Sequence, residues 1–571
     1  MARRLATGLA AAAAAGLPGA AVAHGVGERY DLPAPLAHFI IGATATVALS
    51  FLVTALVAGG GASLARGRGL VVPLGAVARR LRGLARLVGV GLLALLVWAG
   101  LAGDPHPVRN VAPTLVWVGW WIGLSFVVAF VGNVWPALDP WRALYDAADA
   151  LARRLSGRRL TLGWPYPGRL GMWPAVLLLL AFAWCELVWT QASEPPRLAT
   201  LALGWTALTL AGMVCVGADT WQSRADPFAR YFATLGRFAP LAVEPGGNGL
   251  HVRPLGRGLL DPAPPVSGRS AFVVAMLATV LFDGLLSTRM WRLLEGALDA
   301  PAVRALDREG TVLATLGLVG VWLALLAAYG LAWRLTARLV AADAAAALGP
   351  RTALTLVPIA VAYLVAHNLG YLLVRGQELI PLASDPLGRG WDLFGTADWT
   401  PNVGLVGARF EWYVAVGAVV AGHVMSIWLA HRLMLHVVPA PRRAALASLP
   451  LTGLMVGYTA LSLAVIADPL VRSPTSFGLP DAHAGDPDAA VGSTVARPAG
   501  KGAQPEPAKA VVGAAHPWMD DARVVEGNQD EERQLGALRL SGAVADHQER
   551  DEHDERSEPS HRRTSSLRAG R

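Results

Sequence analysis

A soluble chain of 571 residues would fold as roughly three or four domains. This one is 54% hydrophobic and only 16% charged, with a mean hydropathy of +0.43, against roughly 25% charged for an average soluble protein. Of its 90 Asp, Glu, Lys and Arg residues, 31 fall in the last 104 positions, leaving about one in eight over the first 467. Such a chain cannot cover itself for water, so a soluble enzyme is excluded. The pI near 9.9 does not signal nucleic-acid binding, because the arginines lie between apolar runs, where membrane topology accounts for them. The two cysteines, Cys185 and Cys215, sit inside apolar runs and encode neither a disulfide framework nor a thiolate metal site.

In chain order, Arg3 and Arg4, the apolar stretch Leu5 to Leu17 and the small-x-small triplet Ala21-Val22-Ala23 read as a cleaved signal peptide over 1–23, leaving His24 as the mature N-terminus. Ten apolar stretches follow, each able to cross roughly 30 Å of hydrocarbon as a helix: 36–60, 87–103, 112–132, 171–191, 198–218, 271–288, 311–333, 352–374, 410–432 and 447–467. The expected fold class is therefore all-α, a polytopic transmembrane bundle of about ten helices over 24–467. The segment 468–571, rich in Pro, Ala, Asp, Glu and Arg, reads as a disordered polar tail, and its scattered histidines as solvated. No internal repeat supports an inverted-repeat transporter.

Loop charge gives the topology. The five loops that a secreted N-terminus places inside (61–86, 133–170, 219–270, 334–351, 432–446) carry 24 arginines, and the four placed outside (104–111, 192–197, 289–310, 375–409) carry 9. This asymmetry follows the positive-inside rule and predicts a bacterial inner-membrane protein with both termini extracytoplasmic. In the inner loops, 133–142 reads as an aromatic-rich turn at headgroup level, and 226–232 as an amphipathic segment lying on the inner surface.

Ionisable residues at membrane depth are costly and mark function. On this topology His38, Glu186, Asp283, His367 and Glu411 all fall on the extracytoplasmic side, although they come from five different helices. Imidazoles and carboxylates meeting at one depth are what a divalent transition metal, zinc or copper, requires. His24 either belongs merely to a good cleavage context or offers its amine and imidazole as a chelate. The expected metal ligands are His24, His38, His367 and His423, with Asp283, Glu411 and Glu186 as catalytic carboxylates. His423 and His431 stand eight residues apart, roughly 12 Å along a helix, and cannot share one ion. His431, with Arg432 and His436 after it, reads as an ordinary interfacial histidine.

Several phrases together resemble a bacterial family of polytopic membrane proteins commonly labelled fenitrothion hydrolase. They are His24-Gly25 with Arg29-Tyr30-Asp31-Leu32-Pro33, Asn133-Val134-Trp135 with Asp139-Pro140-Trp141-Arg142, Phe282-Asp283-Gly284, and Ala366-His367. Ser384-Asp385-Pro386, Gly390-Trp391-Asp392-Leu393-Phe394-Gly395, Gly422-His423-Val424 and Ala430-His431 complete the set, which spans residues 24–467. The resemblance implies hydrolysis of an organophosphorus triester, a small apolar substrate that reaches an outward-facing site from the bilayer. A metal and a carboxylate base would supply the activated water. The chain has no H-x-H pair, no H-E-x-x-H helix and no G-x-S-x-G elbow. Two other classes compete: a transporter or metal-handling permease, favoured by ten helices and a mid-depth His423, and a haem or copper redox component or assembly factor, favoured by the histidines of the ninth helix.

Overall fold

The computed structural model describes residues 30–472, apart from 58–70, 244–248, 298–306, 342–344 and a few single positions and pairs. The signal-peptide reading, His24 and almost all of the polar tail therefore lie outside the described residues. The long helices are α1 (Leu36–Val57), α2 (Gly75–Ala102), α3 (Val111–Phe130), α6 (Pro195–Val216), α9 (Arg269–Leu286), α11 (Thr311–Ala337), α12 (Val357–Arg375), α13 (Ala408–Val437) and α14 (Pro441–Leu470). Between them come the shorter α4 (Pro140–Ser156), α5 (Trp173–Leu187), α7 (Ala218–Arg224), α8 (Pro227–Leu235) and α10 (Arg289–Ala297). Among the described residues nine helices are long and apolar enough to cross a membrane. The chain is a multi-pass, helical membrane protein. All ten expected stretches are helical, but the fourth, α5, has only 15 residues, about 22 Å at 1.5 Å per residue.

α9 is the most enclosed span, packed by α5, α11 and α12, whereas α1, α6 and α11 turn most of their surface outward. Ile41, Leu49 and Leu56 on α1 and Leu316 and Leu331 on α11 are all more than half exposed. So much bare aliphatic surface suits lipid rather than water. α12 and α13 form the tightest pair, and Gly422 permits it: a Cβ there would strike the Pro358 carbonyl and the Ala362 methyl of α12.

Three features depart from the sequence reading. The centre of α3, Thr114–Gly123, winds as a π-helix, a rare form enriched at functional sites, and it turns the adjacent Trp120 and Trp121 both into the core. Next, the two expected surface segments fold inward. Trp135 and Trp141 are buried, and α8 inserts Phe228, Tyr231 and Phe232 among them, with Phe228 meeting Trp120, Phe182 and Trp205 edge-on at 4.8–5.1 Å. Aromatic burial and T-shaped contact outweigh the interfacial preference of these side chains. Two described helices do match an amphipathic surface element: α4, whose Leu151 and Leu155 remain exposed, and α10, which buries Trp291 and exposes Met290 and Leu293. Lastly, the ordered core passes the expected boundary at 467. The Asp468 carboxylate accepts the Arg289 N–H that begins α10, and strand β5 (Val471–Arg472) pairs in parallel with β1 (Tyr30–Asp31). A second small sheet, in the order β2 (Val71–Pro73), β4 (Gly249–Val252), β3 (Leu241–Val243), joins two of the Arg-rich loops.

Buried aspartates start the inward-folded helices. Asp139 caps α4 by accepting the Trp141 and Arg142 N–H groups, and its second oxygen accepts Gln222 Nε2 at 2.6 Å. Asp226 caps α8 by accepting the Ala229 N–H at 2.9 Å, while its Oδ2 has no partner among the described residues. Burial, reinforced for Asp226 by the charge of Asp139, pushes the two carboxyls up to about 6 and about 7 respectively. An unfolded aspartate titrates near 3.9. Between about pH 4 and pH 7 the folded state therefore holds protons that the unfolded chain has released, and stability falls as pH rises through that window. Asp226→Asn keeps the capping oxygen and removes the titration. Thermal unfolding in detergent is expected to show it more stable than wild type by about 1–3 kcal/mol at pH 8, with the advantage shrinking steadily as the pH falls toward 4. An unchanged pH slope would refute this.

Candidate functional site

Five helices place an acid–imidazole cluster near one end of the bundle. Asp283 stands in the last turn of α9 and His367 past the middle of α12, and His367 Nε2 lies 3.0 Å from Asp283 Oδ2. Both side chains are largely enclosed, at 13% and 19% exposure. Glu411, in the first turn of α13, acts electrostatically on His367. Glu186, in the last turn of α5, feels the charge of Asp283 and is hydrogen-bonded by Trp121 of the π-wound part of α3. Four of the five residues expected from depth alone, Glu186, Asp283, His367 and Glu411, are thus brought together. Glu186 and Glu411 are partly exposed.

Local sequence explains why these groups can meet. The α12 stretch after Pro358 repeats polar residues every four positions, Tyr363, His367, Tyr371 and Arg375, which stacks them along one face. The Tyr363 ring is 6.0 Å from the His367 ring. Tyr371 interacts with Arg375, and Arg375 pairs with Glu378 at 2.8 Å, closing the outer rim. On the opposite side Gly370 makes room: a Cβ there would collide with Glu411 Oε1. Gly284 does the same for the Tyr363 hydroxyl. Tyr363, Tyr371 and Trp121 were missed in the sequence because tyrosine and tryptophan pass as apolar in a hydrophobic helix. The four-residue spacing from His367 was the available signal.

The other expected residues lie elsewhere. His38, in the first turn of α1, is exposed. His423 is buried well along α13 from Glu411, its Nδ1 against the Val419 carbonyl at 2.8 Å and its ring 5.9 Å from Tyr458. His431, expected at an interface, is buried against the edge of Phe51, with Nδ1 3.4 Å from Ser448 Oγ. The outer-loop acids build the loop. Asp385 accepts the Arg389 and Gly390 N–H groups, and Asp392 accepts those of Thr396 and Ala397 and the Ser384 hydroxyl. Those bonds hold the Asp392 carboxyl below the usual range. Among the described residues no three His, Cys, Asp or Glu side chains converge as a metal's ligand set. The cluster offers one imidazole already engaged by a carboxylate, and the chemistry below is argued from the chain's own groups.

The arrangement defines a class: a multi-pass membrane protein carrying an enclosed carboxylate–imidazole centre suited to taking up and releasing protons. No family model, curated protein or solved structure matches the chain.

The Gly370–Glu411 contact is directly testable. Gly370→Ala is expected to lower thermal stability in detergent by about 1–3 kcal/mol through overpacking. Adding Glu411→Ala should relieve most of that loss. Losses that simply add would show that the carboxylate does not occupy the space Gly370 leaves.

Proposed function

We propose that the protein is a membrane-embedded hydrolase in which the Asp283–His367 pair activates water against an apolar ester, with organophosphorus triesters as the substrate class suggested by the family resemblance. The observation that carries the reading is the 3.0 Å contact between His367 Nε2 and Asp283 Oδ2. A carboxylate in that position favours the tautomer with the proton on Nε2, leaving Nδ1 as the base. It also stabilises the imidazolium once a proton is taken. In the proposed step, Nδ1 of His367 removes a proton as water attacks phosphorus. A P–O bond forms, the P–O(aryl) bond breaks, and the aryloxide leaves with the bonding pair. The imidazolium then returns its proton to the aryloxide directly or through Glu411. The products are a phosphodiester and a phenol.

The reading includes an orientation. The arginine asymmetry of the loops puts the cluster on the extracytoplasmic side of a bacterial inner membrane, where substrate dissolved in the outer leaflet meets it laterally. A zinc or copper ion remains part of the proposal as an electrophile for the phosphoryl oxygen. Of the expected ligands only His367 stands in the cluster among the described residues, and no step above depends on the ion.

A second reading, a proton-coupled transporter, is favoured by His423. Its Nε2 is buried without a partner among the described residues, and Tyr458 and Tyr363 stand between it and the Asp283–His367 pair. Buried histidine, tyrosine and acid in series are the materials of a proton relay.

The purified protein in lipid nanodiscs, supplied with a nitroaryl phosphotriester, is expected to release nitrophenol. His367→Ala should reduce the rate by about 100-fold or more, and Asp283→Asn should reduce it while leaving the protein folded. No turnover by wild type, or full turnover by His367→Ala, would overturn the hydrolase. Proton uptake by proteoliposomes, lost in His423→Ala and unaccompanied by ester turnover, would establish the second reading instead.

A further inference from the structure

At the other end of α3 from Val111 lies a cavity of about 480 Å³ that plays no part in the site above. Its walls carry four arginines, Arg82 and Arg86 from α2, Arg142 from α4 and Arg230 from α8, together with Asn133 and Gln222. Two aspartates, Asp139 and Asp219, also line it. Neither is available as a counter-charge to the whole set. Asp139 spends both oxygens on the α4 cap and on Gln222. Asp219 pairs with Arg142 at 2.6 Å. Arg86 and Arg142 share Asp146 at 2.8 Å each.

That leaves two cations. Arg82 makes no ion pair among the described residues. Arg230 donates only a long 3.3 Å bond to the Ser223 carbonyl, and its Nε is buried with no partner among the described residues. The charge of Asp226 supports Arg230, but burial dominates and pulls its guanidinium below the usual arginine range. A partly buried guanidinium whose Nε is left without a partner costs stability unless an anion completes it. The planar donors of arginine fit phosphate oxygens in pairs.

The place of the cavity limits the occupant. Arg82 and Arg86 lie in the first two turns of the apolar span Arg80–Ala102, and Asn133 comes three residues after the last residue of the span Val111–Phe130. These positions are where hydrocarbon gives way to headgroups, and basic pockets at that level bind lipid phosphates. We propose that this cavity is a binding site for a phosphate group, carried by an anionic lipid or by a free phosphate ester, and that Arg82 and Arg230 are its principal contacts. The site is independent of the hydrolase reading, since none of its residues belongs to the acid–imidazole cluster.

Delipidated protein in a neutral detergent provides the test, with thermal unfolding and native mass spectrometry as readouts. Added phosphatidylglycerol or cardiolipin, but not phosphatidylcholine, is expected to raise the unfolding temperature and to remain bound in the mass spectrum. A rise with inorganic phosphate alone would support the site and identify the soluble source. In either case Arg82→Gln should weaken the effect at least tenfold. Arg82 forms no ion pair among the described residues, so this variant tests the site without dismantling the fold, whereas Arg230→Gln also removes a buried contact. No rise with any phosphate-bearing probe, or a rise undiminished in Arg82→Gln, would overturn the proposal.

Discussion

An ionised carboxylate cannot remain alone among apolar helices. The cost of taking it out of water has to be offset by a proton, a cation or several donors, and most of what is unusual in this bundle follows from how that is done. At Asp283 the answer is an imidazole from a neighbouring helix. Glu186 receives an indole N–H, and that indole faces inward because the third span is wound as a π-helix. Glu411 has a space cut for it by a glycine. Each solution draws on a different helix, so the cluster ties together five elements of the bundle.

The same requirement operates at the Arg-rich end with the signs reversed. There the buried aspartates are structural, since they cap α4 and α8 and let two polar loops turn into the protein and carry their tryptophans and phenylalanines with them. The gain is a dense aromatic core beneath the spans. The cost is two carboxyls raised well above their ordinary range and a crowd of guanidiniums only partly neutralised. A basic cavity is the natural residue of that bargain.

How much of this could be read from the sequence depends on the length scale of the signal. Spans of about twenty apolar residues declare themselves, and all ten stretches are helical, because a helix satisfies every backbone group within one segment in hydrocarbon. The meeting of Glu186, Asp283, His367 and Glu411 was legible as well, since alternating helices assign a depth to each residue. Depth, however, says nothing of direction around a helix axis. His38 shares the end of the bundle yet faces out, and His423, near the middle of α13, stands apart from the pair. The segments 133–142 and 226–232 were misread for a related reason. Tryptophan, phenylalanine and proline at the end of a span have the same composition whether they rest on a headgroup layer or fold beneath it. Only the capping aspartates, Asp139 before Pro140 and Asp226 before Pro227, hinted at helices that begin inside. His431 followed the same logic: an Arg beside it suggested an interface, whereas α14 supplies Ser448 and buries it.

α3 runs from one polar site to the other. Val111 and Ala112 at its start pack beside the loop that precedes α13, Trp121 at its middle bonds Glu186, and Asn133 just past its end lines the arginine cavity. A π-helix is less tightly specified than an α-helix and can revert locally at modest cost, which is why such segments recur where side chains must be re-aimed. Reversion over Thr114–Gly123 would rotate Trp121 relative to Asn133 and so alter the donor that Glu186 receives. Both polar sites thus border one continuous span, and its π-winding sets the direction in which Trp121 faces Glu186.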